Sequence, residues 1–127
     1  MPPKRPLLKN EFYLPENFAV YVPSTTSKSR KIAPSTMRNR VDKVRAWMSK
    51  VYGGTTSIRG VGTYTDEDTL LIKENVVVVQ SFSSTQDFHL NEELLYNQIM
   101  KWGRTWGQES MGYEYEGDMY YIEMRGN

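Results

Sequence analysis

Between Phe18 and Val22 the chain reads FAVYV, apolar at every position, and Pro23 closes the run. This predicts a strand ended by a residue that cannot donate to a sheet ladder. Residues 23–34, PSTTSKSRKIAP, are polar and aperiodic with a proline at each end, and predict a long loop. Met37, Val41, Val44, Met48 and Val51 then recur at spacings of four, three, four and three, the stripe of a helix with one buried face. Ser35 is placed to cap that helix, and Gly53-Gly54 to stop it. Thr55 to Tyr64, rich in β-branched residues, predicts a strand, with Asp66-Glu67-Asp68 as a polar hairpin tip. Leu70 to Phe82 contains NVVVVQSF, the strongest strand signal in the chain. Asn91 reads as the cap of a second helix, with Glu92 and Glu93 in its first turn and Gly107 at its end. Its apolar stripe is Leu95, Ile99, Trp102 and Trp106. Met111–Tyr115 and Met119–Met124 flank Glu116-Gly117-Asp118 as a final hairpin.

The resulting order, β-α-β-β-α-β plus one strand, is the split βαβ or ferredoxin-like plan, an α+β fold with two helices on one face of an antiparallel sheet. Residues 1–16 carry four prolines and predict an extended arm, leaving 17–125 as a single domain. A sheet covered on one face should alternate apolar and polar residues. The valine run at 76–79 and the FAVYV run instead place apolar side chains on both faces. A second cover is therefore expected, and self-association is the simplest one.

Composition narrows the function classes. With no cysteine among its 127 residues, the chain has neither disulfides nor thiolate metal sites. The basic N-terminus lacks the apolar core of a secretory signal, and no apolar run approaches membrane-spanning length, so the expectation is a cytoplasmic protein without membrane partners. Residues 1–50 hold eleven lysines and arginines against three acids, and residues 51–127 hold five against twelve. A basic half can serve a polyanion. No basic run exceeds two residues, however, and the sheet lacks the exposed aromatics on central strands that stack RNA bases, which argues against nucleic acid.

His89, the only histidine, stands without a cysteine or a G-x-S-x-G elbow, which argues against a nucleophilic triad; it reads as a surface or capping residue. Metal-ligand spacing is absent, and Asp66-Glu67-Asp68 reads as a solvated tip. Gly60-Val61-Gly62 lies within a strand and marks a bulge or a close approach of another backbone or a ligand. The 24–31 segment, STTSKSRK, offers hydroxyls and cations that can close on a phosphate or carboxylate, so Ser24, Thr25, Lys28 and Arg30 are ligand-binding candidates. Tyr64, Glu74, Gln108 and Glu109 are polar groups at strand ends, able to recognise a small polar ligand.

The strings YVPST, GGTTSIRGVGTY, KENVVVVQSF and WGQESMGYEYEGDMYYI, with an arginine-bearing helix after the first, resemble a family of short uncharacterised proteins of tailed phages and archaea. That resemblance covers about residues 20–122 and brings no function with it. The chain also resembles the phage S-adenosylmethionine lyases, small trimers of ferredoxin-like, PII-like fold. They have a long loop after the first strand and an arginine-bearing segment opening the first helix, similar to Ser35, Arg38 and Arg40 here. Their glycine–tyrosine strand end, the glutamate about ten residues on, and a W-x-Q stretch look like Tyr64, Glu74 and Trp106-Gly107-Gln108.

That resemblance implies a homotrimer with pockets between subunits for a nucleotide-like or adenosyl molecule and no cofactor. Glu74 and Tyr64 would orient the substrate, and Arg38 would join the ligand-binding set. The alternative is a non-enzymatic structural or interaction protein, such as a virion component or partner-binding module, using the arm and the tyrosine-rich last strand.

Overall fold

Alternation of side chains along each strand decides which residues meet the helices. The computed structural model describes residues 2–26, 30–65 and 67–124. Its elements are β1 (Glu16–Pro23), β2 (Thr25–Thr26), β3 (Arg30–Lys31), α1 (Pro34–Tyr52), β4 (Thr56–Thr65), β5 (Leu71–Ser83), α2 (Thr85–Thr105), β6 (Ser110–Tyr115) and β7 (Asp118–Glu123). Five strands form one antiparallel sheet in the order β4-β5-β1-β6-β7. The first four of those strands with the two helices make the ferredoxin-like arrangement, and β7 widens it by one strand.

In the register Phe18↔Ser81, Val20↔Val79 and Val22↔Val77, those six side chains share the helix-facing side. Phe18, Val20, Val22 and Val79 are buried there with Val44 and Met48 of α1 and Phe88, Leu95 and Ile99 of α2. Each fully buried aliphatic side chain contributes about 1.5–3 kcal/mol. Aromatic edges lock the layer: Phe18 meets Tyr52 at 4.6 Å, and Trp47 meets Trp102 at 5.9 Å.

Three expectations are corrected. The second helix begins at Thr85, not after Asn91. Ser84 is its cap, its Oγ accepting the Asp87 N–H at 3.1 Å, and the buried Phe88 extends the stripe two turns toward the N-terminus. Asn91 lies within the helix and donates to the Asp87 carbonyl at 2.9 Å, while His89 is exposed beside Glu92 at 3.3 Å. The first helix begins at Pro34, behind Ala33 and without a side-chain cap, because a proline in the first turn has no N–H to satisfy; Ser35 is therefore not the cap. The 23–34 loop is not shapeless: β2 and β3 pair through Thr25↔Lys31 and Thr26↔Arg30, and Ile32 N–H reaches the Ser24 carbonyl at 3.1 Å. Lys28 and Asp66 lie outside the described residues. Among the described residues, no helix is long and apolar enough to cross a membrane, and no cluster of metal-ligating side chains occurs.

Stability should follow these assignments. Ser84→Ala is expected to lower the unfolding free energy by about 1 kcal/mol, and Leu95→Ala by about 3 kcal/mol, both read from urea midpoints. An unchanged midpoint for Ser84→Ala would mean that the helix starts elsewhere.

Alkaline pH is a second test. Burial, with Glu92 nearby, pushes the Tyr52 phenol from 10.0 to about 12. Tyr113 is raised further, mainly by burial, and Tyr115 by its hydrogen bond to Glu16. Raised folded-state values mean that the fold holds its phenolic protons more tightly than the unfolded chain. Stability from these groups is fully present below pH 10.0 and is expected to fall as pH rises toward 12, the range of the Tyr52 shift. Urea midpoints taken across that range, beside tyrosinate absorbance, measure it.

Candidate functional site

On the sheet side away from the helices, β4 presents Ile58, Gly60, Gly62 and Tyr64, and β5 presents Glu74, Val76, Val78, Gln80 and Phe82. The register sets Gly60 opposite Val76 and Gly62 opposite Glu74. Two missing side chains in alternate positions lower this part of the surface. A Cβ on Gly60 would stand 3.5 Å from Val76 Cγ1, and one on Gly62 would stand 3.8 Å from the Glu74 carbonyl oxygen. The G-V-G string thus removes bulk from one face, and no helix start or phosphate loop is involved. With no side chain opposite Glu74, the Tyr64 phenol leans diagonally across and donates to Glu74 Oε1 at 3.5 Å.

The depression opens into a cavity of about 800 Å³ whose walls bring Tyr64, Glu74, Thr25, Gln108 and Glu109 together. Tyr21, Met119 and Tyr121 supply its aromatic and thioether wall. Gly112 makes room for that wall, since a Cβ there would meet Met119 Cε at 2.6 Å. Tyr21 donates to Glu114 Oε1 at 2.8 Å, and this hydrogen bond is the main reason its phenol lies above the ordinary tyrosine range.

Five of the sequence-predicted ligand and catalytic residues therefore line one cavity. Ser24, Arg30 and Arg38 do not line it, and Arg30 and Arg38 point into solvent as exposed side chains.

The arginine that reaches this region is Arg40. Its Nη1 donates to the carbonyls of Pro23 at 2.9 Å and Thr25 at 2.7 Å, and its guanidinium lies 5.1 Å from the Trp106 ring centroid. Gln108 Nε2 donates to the same Thr25 carbonyl at 2.7 Å and to Trp106 O at 3.0 Å. A helix, a strand end and the turn after α2 are thereby tied at one point. Burial lowers the Arg40 pKa, but an arginine remains a cation at any pH of interest. Its Nε is buried without a partner.

The signal for Arg40 was present in the sequence. It stands three residues after Met37 and four before Val44, on the edge of the apolar stripe, where a guanidinium stem packs as well as a methionine.

The fold defines a ferredoxin-like α+β protein whose open sheet face holds the cavity. Two solved structures share this fold. A phage SAM lyase in complex with S-methyl-5'-thioadenosine superposes with a TM-score of 0.62 at 18% identity, over 92% of this chain and 96% of that one. A phage SAM lyase in the apo state gives a TM-score of 0.57 at 16% identity, over 96% of this chain and 99% of that one. No protein-family model and no curated protein matches the chain.

Removing the tie should loosen the wall. Arg40→Met is expected to cost about 2 kcal/mol, since the Pro23 and Thr25 carbonyls lose a charged donor. It should also speed tryptic cleavage after Arg30 or Lys31. Arg38→Met, at an exposed position, is expected to change neither.

Proposed function

We propose that the protein is a homo-oligomer, trimeric in its closed form, that binds an adenosyl small molecule on the open sheet face and acts as an S-adenosylmethionine lyase. One observation carries this reading: Tyr64, Glu74, Thr25, Gln108 and Glu109, drawn from four separate parts of the chain, converge on a single cavity with an aromatic and thioether wall. The fold shared with a phage SAM lyase that holds S-methyl-5'-thioadenosine supports the choice of ligand class. The string resemblance to short phage and archaeal proteins belongs to the same proposal.

The reaction needs no cofactor. A carboxylate oxygen of the substrate attacks its own γ-carbon, the carbon–sulfur bond breaks, and sulfur keeps the electron pair. The products are methylthioadenosine and a lactone, and no proton is transferred. Because a carboxylate and a sulfonium cancel in the step, a water-poor pocket that holds the reactive rotamer accelerates it. Glu74 attracts the cationic end of the substrate, and Tyr64 fixes the Glu74 carboxylate. Another copy of the chain, packed against Ile58, Val78 and Phe82, shuts the cavity from bulk water.

A second reading, a structural or partner-binding protein, draws on the exposed Tyr120 and Tyr121 of the edge strand β7.

Incubation with S-adenosylmethionine followed by chromatography is expected to yield methylthioadenosine. Glu74→Gln should lower the rate about a hundredfold while leaving the urea midpoint in place. Native mass spectrometry is expected to report three chains. Absence of product, with no thermal shift from S-adenosylmethionine or methylthioadenosine, would favour the structural role.

A further inference from the structure

The outer side of α2 carries a stripe that the core does not use. Asp87, Leu90, Leu94, Gln98 and Lys101 recur at spacings of three, four, four and three, so they stand in one line along the helix. The buried residues Phe88, Leu95, Ile99 and Trp102 form the other stripe, toward the sheet. Leu90 is 75% exposed and Leu94 56%. A single exposed leucine is ordinary on a protein surface. Two in line, one turn apart and set between an acid and a base, make a patterned face.

The order of the stripe selects its partner. It is symmetrical about Leu94: leucine and glutamine stand four residues to either side, aspartate and lysine seven. Laid antiparallel on a second copy of itself, about a two-fold axis through Leu94, it sets Leu94 on Leu94, Leu90 on Gln98 and Asp87 against Lys101, twice over. Laid parallel in register, it would bring Asp87 onto Asp87 and Lys101 onto Lys101. Among the described residues neither Asp87 nor Lys101 is in an ion pair. The Asp87 N–H serves the Ser84 cap and its carbonyl accepts from Asn91, which leaves the carboxylate for a partner.

Other cover matches less well. The N-terminal arm is in place and leaves both leucines open, and its one acid, Glu11, is held by Arg5 at 2.7 Å. It therefore brings no free carboxylate to Lys101. Lys43 and Lys50 of α1 line the same hollow as Lys101, and the charges around that hollow are all positive. Such a rim favours a partner that carries an acid, as the second copy does in Asp87, while the long lysine stems let the remaining ammonium groups turn to water.

We infer that α2 of one copy packs antiparallel on α2 of another along this stripe. Removing the leucines from water drives the contact, and the two ion pairs fix its direction. One helical stripe buries less than a standard interface, so the pairing is weak and grows with concentration. It uses the helix layer and not the open sheet face, so it is independent of the functional proposal and joins whatever assembly that face builds.

The cysteine-free chain permits a direct test. Full-length Leu94→Cys, oxidised, is expected to run as a disulfide-linked dimer on a non-reducing gel. Thr105→Cys, also exposed on α2, should not link, because its two copies stand eleven residues either side of the axis, about 33 Å apart. Leu90→Cys mixed with Gln98→Cys should link several-fold more than Leu90→Cys alone. In sedimentation equilibrium Lys101→Asp is expected to weaken the pairing about tenfold, and the Asp87→Lys/Lys101→Asp double variant to restore it. The Ser84 cap uses only the Asp87 N–H, so the exchange leaves it in place. Linkage of Leu94→Cys no greater than that of Thr105→Cys, or a double variant no better than Lys101→Asp, would overturn the pairing. A stripe that serves a different protein would give that result. Turnover of S-adenosylmethionine is read separately and bears on neither outcome.

Discussion

Two central strands with apolar side chains on both faces set the terms for everything else in this molecule. A strand has only two sides, and helices cover only one of them. Phe18, Val20, Val22 and Val79 satisfy the covered side and anchor the core. Ala19, Val76 and Val78 belong to the other, where Ile58 and Phe82 remain exposed. Polar neighbours on that side pair with one another: Gln80 donates to Asn17 at 2.6 Å and Tyr21 to Glu114 at 2.8 Å. Groups paired in this way need less water, so the face suits a second layer of protein.

The cavity depends on the same alternation. Glycines at alternate positions of β4 lower one face only, and it is the open one. Across the sheet, Gly112 accommodates Met119 and Tyr121, which build the opposite wall. Between them, Arg40 and Gln108 converge on the Thr25 carbonyl and hold the β1–β2 corner against the turn after α2. A buried guanidinium bonded to two carbonyls and lying over an indole is costly to move, because a cation displaced within the protein loses charge-assisted hydrogen bonds that water does not replace. The wall of the cavity is thus anchored to the helix layer.

The kind and order of the main elements and most of the helical stripe were legible from periodicity, because a residue's side of a helix or strand depends only on its neighbours in sequence. The α2 start was less legible: Ser84-Thr85-Gln86-Asp87 is a capping signal as good as Asn91, and only Phe88 packed against Phe18 at 5.0 Å separates the two. Arg38 rather than Arg40 was named for the ligand-binding set, and it is the place of Arg40 beside the stripe that carries it inward. Tyr64, Glu74, Gln108 and Glu109 were found as polar strand ends, which alternation and turns already mark.

The sequence by itself determined the α+β plan and the excess of apolar residues on the open face, since both follow from short-range patterns of size and polarity. Only the tertiary structure decided that Thr25, Glu74 and Gln108 share a cavity and that Arg40 rather than Arg38 turns inward. Those facts depend on strand order and helix rotation. Both are set by how the whole core packs at once, and no local stretch of residues encodes them.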